Sequence, residues 1–261
     1  MLSNVLHNRV SLSVVVVTCN EQRNIARCLK SVQSIADEII VTDSGSTDDT
    51  KRICEWFGVR WDERPLIRFD DQKNWAVRRA AHDYILSLDA DEALSDELVA
   101  SIREIRNIWR YDCYRFRRLN NFCGKWVFHG EWSSDKAIRL FDRRMASWQG
   151  SVHERVIPRE GCSVGDLRGM LLHYPYYSIA QFHRKSERYA TIMAEELYLQ
   201  GKRATWFHLY LKPAYRFFYA WILRCGFLDG CAGYNVARLT AHRLKLKFVK
   251  LVTLWNQHAC R

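Results

Sequence analysis

The sequence has no apolar run long enough to cross a membrane, no C-x-x-C cysteine pair and no recognisable secretory leader. A spanning helix needs about 20 apolar residues, and the longest uncharged run, residues 169–183, contains His, Pro and Gln. The nine cysteines are odd in number and dispersed, which favours reduced thiols over a disulfide framework or a zinc site. We therefore expect neither an integral membrane protein nor a disulfide-stabilised secreted one.

Acidic residues are nearly missing from the last sixty positions. Between Lys202 and Arg261, eleven Lys and Arg stand against one acid, Asp229, so this stretch carries +10 of the net charge of +11. A basic region on a near-neutral body predicts an anionic partner, either a membrane or a nucleic acid. The chain has no zinc-finger, RRM or homeodomain pattern. We expect no nucleic acid as partner, and a basic nucleic-acid-binding protein without catalysis remains the alternative.

The first 110 residues alternate short β-branched strands with amphipathic helices. The pattern predicts strands at residues 12–17, 38–42, 59–61 and 84–88, and helices near 25–32, 47–57, 72–81 and 95–105. Thr47 and Ser95 are the expected N-caps of two of these helices. Short connections in such an alternation imply right-handed crossovers and a parallel α/β sheet. Short strands are then predicted at 113–119 and 137–141, and helices throughout after Pro175.

Polar residues follow three of the predicted strands, at the edge where a parallel sheet binds ligands. The clusters are Thr18-Cys19-Asn20-Glu21, Asp43-Ser44-Gly45-Ser46-Thr47-Asp48 and Asp89-Ala90-Asp91-Glu92. Two carboxylates at i and i+2 in the third cluster can both reach one divalent cation and a diphosphate that it holds. An acidic turn after a strand can also cap a helix. The other two clusters, at the same edge, favour the metal-binding interpretation of the pair. G-x-G-x-x-G is absent after the first strand, which argues against a dinucleotide-dependent dehydrogenase.

Together with Gln72-Lys73-Asn74, these clusters resemble the inverting family 2 glycosyltransferases of the GT-A fold. The resemblance implies an α/β fold with a Rossmann-like, mostly parallel sheet and helices on both faces, followed here by a basic, aromatic-rich helical region. Three later segments resemble the lipopolysaccharide-core β-1,4-glucosyltransferase branch. These segments are Trp132 to Phe141, Val152-His153-Glu154 and Cys225 to Gly230.

The resemblance also implies the substrates and the cofactor. The expected donor is a UDP-sugar, with glucose as the sugar, and the expected cofactor is Mg²⁺ or Mn²⁺. The expected acceptor is a lipid-linked oligosaccharide, namely a sugar of the lipopolysaccharide or lipooligosaccharide core. A related family 2 transferase acting on a peptide or a capsule acceptor is the alternative within the family.

Individual roles follow from the resemblance by position. Asp43 is expected to accept a hydrogen bond from the uracil N3–H, because an ionised carboxylate offers only acceptors. The other implied nucleotide-sugar ligands are Thr18, Asn20, Glu21, Lys73, Asn74, Asp89 and Ala90. The implied metal ligands are Asp91, Asp89 and His153. A cation bound there would neutralise the leaving diphosphate.

An inverting transfer needs one general base that deprotonates the acceptor hydroxyl as it attacks the sugar. Glu154, beside His153, is the first candidate, Asp135 is the second and Glu131 is the third. Glu154 precedes Arg155 and can equally be half of a solvated ion pair. Two further sets keep two interpretations, acceptor contact or ordinary structure. They are Trp109, Trp126, Trp132 and Trp148 as sugar platforms or core, and Arg115, Arg117 and Arg118 as phosphate ligands or a solvated edge.

The pattern predicts a catalytic domain over residues 1–174, with a nucleotide-sugar half near 10–110 and an acceptor half near 111–174. A helical region follows over 175–261. In it, an apolar stripe flanked by cations is typical of an interfacial helix. The stripe consists of Ala237, Ala241, Leu244, Phe248, Leu251 and Trp255. The expected location is cytoplasmic, peripheral on the inner face of a bacterial membrane whose anionic surface is the partner.

Overall fold

The computed structural model describes residues 9–133, 135–150 and 154–259 of the 261-residue chain. These residues form two compact units. The first comprises the described parts of Met1–Arg118 and Asp135–His173, and the second those of Leu119–Ser134 and Tyr174–Arg261. The predicted domains, 1–174 and 175–261, remain a proposal. The second unit differs from the predicted helical region in that it also includes Leu119–Ser134. Within the described ranges, no helix combines the length and the apolar content that crossing a bilayer requires.

The strands build one large sheet and a separate hairpin. In chain order they are β1 (Leu12–Thr18), β2 (Glu38–Asp43), β3 (Arg60–Glu63), β4 (Tyr84–Asp89), β5 (Glu92–Leu94), β6 (Cys113–Phe122), β7 (Lys125–Val127), β8 (Lys136–Asp142), β9 (Ala146–Gln149), β10 (Arg155–Pro158) and β11 (Val164–Tyr176). The sheet order is β3-β2-β1-β4-β8-β6-β11-β5, β7 pairs with β6, and β9 pairs with β10. The pairings among β3, β2, β1 and β4 are parallel, whereas β8 pairs antiparallel with both β4 and β6.

Helices connect the parallel strands and make up most of the second unit. The α-helices are α1 (Ile25–Val32), α2 (Thr50–Trp56), α3 (Phe69–Arg79), α4 (Asp96–Ile105), α5 (Ile179–Leu199), α6 (Lys212–Phe218) and α7 (Gly230–Ala259). The π-helical stretches Phe207–Leu211 and Tyr219–Leu223 flank α6, and short 3₁₀ turns occupy Gly130–Trp132 and Gly226–Asp229.

The central strand β1 shows why this sheet forms. Its run of valines is β-branched and buried on both faces, as a central parallel strand requires. Val14 and Val16 belong to a core cluster with α1 and α4, and Val15 belongs to a second cluster with α3. Each fully buried valine stabilises the fold by about 1.5–3 kcal/mol. The α/β class with helices on both faces of the sheet is confirmed.

Most element predictions in the first half are confirmed, with shifts of a few residues at the ends. Ser95 is the N-cap of α4, since its side chain accepts a hydrogen bond from the Leu98 amide. The prediction for Thr47 is wrong. Helix α2 begins only at Thr50, because Thr47 is held by the loop after β1, where its amide donates to Asn20 Oδ1 at 2.8 Å. Strand β11 was not predicted, and it continues through Pro175.

In the second unit, the long helix α7 packs against α5 and buries its apolar stripe. Ala237, Ala241, Phe248 and Leu251 are all buried, and Leu244 and Trp255 pack against the cluster that contains Phe248 and Leu251. The prediction that this stripe faces a membrane is therefore wrong. The periodicity does mark one helical face, but α5 covers that face.

Candidate active site

The carboxyl ends of β1, β2 and β4 meet at one edge of the sheet. The parallel register places Thr18 opposite Asp43, and Val17 opposite Asp89. The three polar clusters of the sequence therefore lie side by side, as a ligand edge of an α/β sheet requires. Ala90 continues this arrangement, since its amide donates to the Val17 carbonyl at 3.1 Å and the residue is buried.

The loops after β1 and β2 are bonded to each other through Asn20. Its backbone is left-handed, with φ of 56°, a conformation that Asn tolerates better than most residues. The Asn20 amide donates to Ser46 Oγ at 2.7 Å, and Asn20 Oδ1 accepts from the Thr47 amide. Beside it, the Glu21 amide donates to Thr50 Oγ1 at 2.9 Å. The polar clusters thus fix the shape of the strand edge.

The buried Asp43 carboxylate organises its own loop. Its Oδ2 accepts from the amides of Gly45 at 2.8 Å and Ser46 at 2.6 Å, and its Oδ1 accepts from Ser46 Oγ. Asp43 is thereby held in one orientation at the strand end. Next to it in register, the Thr18 hydroxyl is buried and has no hydrogen-bond partner among the described residues. A buried unsatisfied hydroxyl is costly and marks a position that a ligand can satisfy.

Lys73 of α3 brings two acids together. Its buried ammonium lies 2.7 Å from Asp89 Oδ1 and 2.9 Å from Glu154 Oε1, and 4.2 Å from the centre of the Trp148 ring. The structure therefore joins Lys73, Asp89 and Glu154, although Lys73 and Glu154 are 81 positions apart in the chain. This salt-bridged group stands at the carboxyl end of β4.

A chain of alternating charges continues from Asp89. Arg139 Nη2 lies 3.1 Å from Asp89 Oδ2 and 2.8 Å from Glu92 Oε1. Arg118 lies 3.5 Å from the same Glu92 oxygen and also pairs with Asp135. Asp135 is thus tied to the active-site acids through two arginines and Glu92. The buried Glu92 and Arg139 neutralise each other, which is the condition for tolerating charges in a protein interior.

The charges around Asp89 keep it ionised. Burial disfavours its charged form, but Lys73 and Arg139 outweigh burial and hold the pKa of Asp89 well below its usual range. Burial likewise disfavours the Arg139 cation, but Glu92 and Asp89 raise the pKa of Arg139 above its ordinary value. Asp89 is therefore an anion at any physiological pH.

Asp91 has a different partner. Its Oδ2 lies 3.5 Å from Nε2 of His173 on β11. A carboxylate oxygen and an imidazole nitrogen at this separation can share one cation, with further positions open to phosphate oxygens and water. In the part of the chain that the structure describes, no group of three or more His, Cys, Asp and Glu could hold a metal. His153, a predicted metal ligand, lies outside the described residues.

Asn74 and Glu131 have structural partners. The Asn74 carboxamide bonds the backbone of Trp148 twice, donating to its carbonyl at 2.8 Å and accepting from its amide at 3.0 Å. These two hydrogen bonds fasten β9 to α3. In the second unit, Glu131 forms a bidentate pair with Arg216 at 3.0 and 2.6 Å.

Sequence reasoning missed three of these residues. Arg139 carries a signal, because it is a charged residue with apolar neighbours on both sides in the middle of strand β8. Glu92 belongs to the acidic cluster after β4, but its position alone predicts no role. In the structure it forms an ion pair with Arg139, which also contacts Asp89. His173 stood in an uncharged run with no spacing pattern, so only the fold brings it to Asp91.

Comparison with known proteins agrees with this architecture. The sequence profile described as glycosyl transferase family 2 matches residues 13–156. An uncharacterised glycosyltransferase of Rickettsia typhi is 32% identical over 251 residues, covering 92% of this chain and 86% of that protein. The lipopolysaccharide core biosynthesis glycosyltransferase LpsC of Rhizobium meliloti is 28% identical, covering 90% of this chain and 92% of LpsC.

Among solved structures, S. aureus TarS 1–349 is similar with a TM-score of 0.49 and 14% identity, over 92% of each chain. The family profile covers more than half of the chain, and the Rickettsia relative aligns along nearly all of it. The chain belongs to glycosyl transferase family 2 and has its GT-A fold.

Proposed function

We propose that this glycosyltransferase moves a hexose, specifically glucose, from a UDP-sugar to a lipopolysaccharide or lipooligosaccharide core sugar with inversion at the anomeric carbon. The observation that carries the proposal is the Lys73 ammonium between Asp89 and Glu154 at the sheet edge. This contact supports a site in which Asp89 serves the donor and Glu154 serves the acceptor.

The strand edge supplies the proposed donor pocket. Asp43 is fixed by its loop and keeps acceptor capacity for the uracil N3–H, since each carboxylate oxygen has two lone pairs. The Thr18 hydroxyl, which lacks a partner, is proposed to bond the base. Asn20 and Glu21 shape this pocket through the loop after β2. These contacts recognise the nucleotide before any bond is broken.

Asp91 and His173 are proposed to hold Mg²⁺ or Mn²⁺. The donor set of one carboxylate and one imidazole suits a cation that completes its coordination with the diphosphate and water. When bound, the cation supplies positive charge that stabilises the leaving diphosphate. Asp89, already neutralised by Lys73 and Arg139, is proposed to contact the ribose and to complete the donor site.

Glu154 is proposed to take the acceptor proton. Its Oε1 contacts the Lys73 ammonium, and its Oε2 is proposed to accept the proton of an acceptor hydroxyl. Asp135 is the second candidate, but Arg118 holds its carboxylate. Glu131 is the third, and Arg216 occupies both of its oxygens. The lipopolysaccharide-core acceptor is supported by the similarity to LpsC, a lipopolysaccharide core biosynthesis glycosyltransferase, and by the resemblance of the segment from Cys225 to Gly230.

A panel of sugar nucleotides tests the proposal. The purified protein is incubated with UDP-glucose, UDP-galactose, UDP-N-acetylglucosamine or GDP-mannose and a truncated core oligosaccharide, with Mn²⁺, Mg²⁺ or EDTA. We expect nucleotide release and a β-linked product with UDP-glucose, only when metal and acceptor are present. Failure of every UDP-sugar to react would overturn the donor class. Transfer to a peptide or capsule oligosaccharide alone would overturn the acceptor assignment.

A further inference from the structure

The second unit carries an exposed apolar helix face that the catalytic chemistry does not use. We call the uninterrupted helical stretch formed by Phe207–Leu211, α6 and Tyr219–Leu223 the aromatic helix. Its exposed residues, with Trp206 immediately before it, are Trp206, Phe207, Tyr210, Leu211, Lys212, Ala214, Tyr215, Phe218, Ile222 and Leu223. A single one of these ten side chains is charged. Contiguous apolar exposure of this kind marks an interaction surface.

The opposite side of the aromatic helix is anchored, so the exposed face has a fixed direction. Pro213 and Ala220 are buried, and Arg216 bonds Glu131 through both of its carboxylate oxygens. Directly after the helix, Phe227 and Leu228 are also exposed, at 46% and 60%. They extend the same apolar character into the following turn.

Cations that have no carboxylate partner within the described ranges border this face. Lys245 Nζ lies 5.2 Å from the centre of the exposed Tyr210 ring, and Lys212 and Lys247 both lie over Phe248. Burial, and then the nearby Lys212 and Arg216, lower the pKa of Lys247, as expected for positive charges gathered together.

The local sequence offers these cations no counter-charge. Asp229 is the one acid after residue 201, and its carboxylate already accepts from the backbone amide of His129 and contacts its ring nitrogen. Lys250, by contrast, is paired with Glu187 of α5 at 2.7 Å. The aromatic helix is therefore flanked by positive charge that an external anion can neutralise.

We propose that the exposed face of the aromatic helix binds the surface of an anionic phospholipid bilayer, with its aromatic side chains at the level of the headgroups. An apolar helix face bordered by Lys is the pattern of an interfacial helix, and Trp and Tyr favour the headgroup layer. A twofold contact with a second copy would bring the unpaired lysines of both copies together, which disfavours self-association. A nucleic acid would match the cations but not the largely uncharged face.

This inference does not depend on the donor or the acceptor. It also replaces the membrane stripe that the sequence suggested on α7, which lies in the core of the unit. The sequence contained the aromatic residues, but only the packing of α7 against α5 shows which helix is left uncovered.

The test is co-sedimentation of the full chain with vesicles. One set contains phosphatidylcholine alone, and the other contains phosphatidylcholine mixed with phosphatidylglycerol. We expect binding to the anionic set that weakens as salt is raised. The double variant Phe218→Ser/Ile222→Ser should weaken it on the order of a hundredfold, because two large apolar side chains leave the interface. Lys245→Ala should weaken it roughly fivefold.

Matched controls separate this face from general stickiness. Trp56→Ser and Leu199→Ser each remove an exposed apolar side chain elsewhere, at 81% and 85% exposure, and should leave vesicle binding unchanged. Lys250→Ala removes the same charge as Lys245→Ala from a paired site and should have a smaller effect. Far-ultraviolet circular dichroism verifies that each variant folds, and Trp206→Ser/Leu211→Ser provides a second variant pair.

Three results would overturn the proposal. They are no binding to anionic vesicles, equal binding to both vesicle sets at all salt concentrations, and binding that the controls weaken as much as the face variants. Sedimentation velocity gives a fourth. Self-association that Phe218→Ser/Ile222→Ser abolishes, in a protein that does not bind vesicles, would assign the face to a second copy.

Discussion

At the scale of single residues, one ammonium group organises the proposed active site. Lys73 is buried, and it would be costly there without the two carboxylates of Asp89 and Glu154. Because the same cation contacts both acids, it holds the proposed donor-side acid, Asp89, close to the proposed acceptor-side acid, Glu154. Asp43 is proposed to bind the donor and Glu154 to take the acceptor proton, so substitutions of these two residues should have different kinetic effects.

Asp43→Asn should weaken donor recognition more than it slows chemistry. The amide cannot present two ionised acceptor oxygens, so we expect the KM for the UDP-sugar to rise about tenfold or more, with a smaller change in kcat. Ser46→Ala is the control, because it removes one bond of the loop and keeps the carboxylate. Equal kinetic effects of the two variants would assign Asp43 to loop structure alone.

Glu154→Gln should stop transfer and leave UDP binding intact. A general base contributes roughly 10²–10⁴ in rate, and Gln cannot accept the proton. One oxygen of Gln can still accept from Lys73, so the fold and the donor site should persist. The measurement is the transfer rate beside UDP affinity. Full activity in Glu154→Gln, together with an inactive Asp135→Asn, would make Asp135 the base.

At the scale of elements, α3 carries two different functions on neighbouring residues. Lys73 contacts Asp89 and Glu154 of the proposed site, whereas Asn74 forms hydrogen bonds with the backbone of Trp148 and thereby fastens β9. Trp148 in turn lies under both Lys73 and Arg139. Through Trp148, the hairpin of β9 and β10 thus contacts both cations, Lys73 and Arg139.

Asn74→Ala should destabilise the protein by about 1–3 kcal/mol, because two buried backbone groups of Trp148 lose their partners. Thermal unfolding measures the loss. Asn107→Ala, an exposed Asn with one local bond to Arg103, should cost less than about 0.5 kcal/mol. Unchanged unfolding of Asn74→Ala combined with lost donor affinity would instead place Asn74 at the nucleotide.

Local patterns predicted the nucleotide half of the fold well, and distant contacts were not predictable. The β-branched runs and the polar residues after them identified β1, β2 and β4, because strand burial and strand ends have local signatures. The Lys73–Glu154 and Asp91–His173 contacts join positions 81 and 82 apart, and no spacing rule reports them. The α7 stripe failed for a related reason, since periodicity reveals an apolar face but not what covers it.

At the scale of the whole molecule, the thiols report how tightly the first unit is packed. Cys28, Cys54 and Cys113 are buried there. Burial raises the pKa of Cys54 and Cys113 to about 12, and that of Cys28 well above its ordinary value. Near neutral pH these three side chains are therefore unreactive thiols inside a closed core.

A chromogenic thiol reagent at about pH 8 should modify the exposed cysteines of the folded protein quickly and these three only on unfolding. The exposed ones are Cys19, Cys123, Cys225 and Cys231. In denaturant all nine cysteines of the sequence should react if they are reduced. Fast labelling of Cys54 or Cys113 in native conditions, located by mass spectrometry, would contradict the packing described for the first unit.

The edge formed by β1, β2 and β4 is proposed to bind a UDP-sugar with a divalent cation at Asp91. Calorimetric titration of UDP into the protein, with Mn²⁺ or with EDTA, tests this most directly. We predict binding that requires the metal in the wild type and is lost in Asp91→Asn, with a fall in transfer rate of about 10²–10³. The control Asp96→Asn, five residues further along, should behave like the wild type. Metal-dependent UDP binding that is unchanged in Asp91→Asn, or no UDP binding at all, would contradict the account.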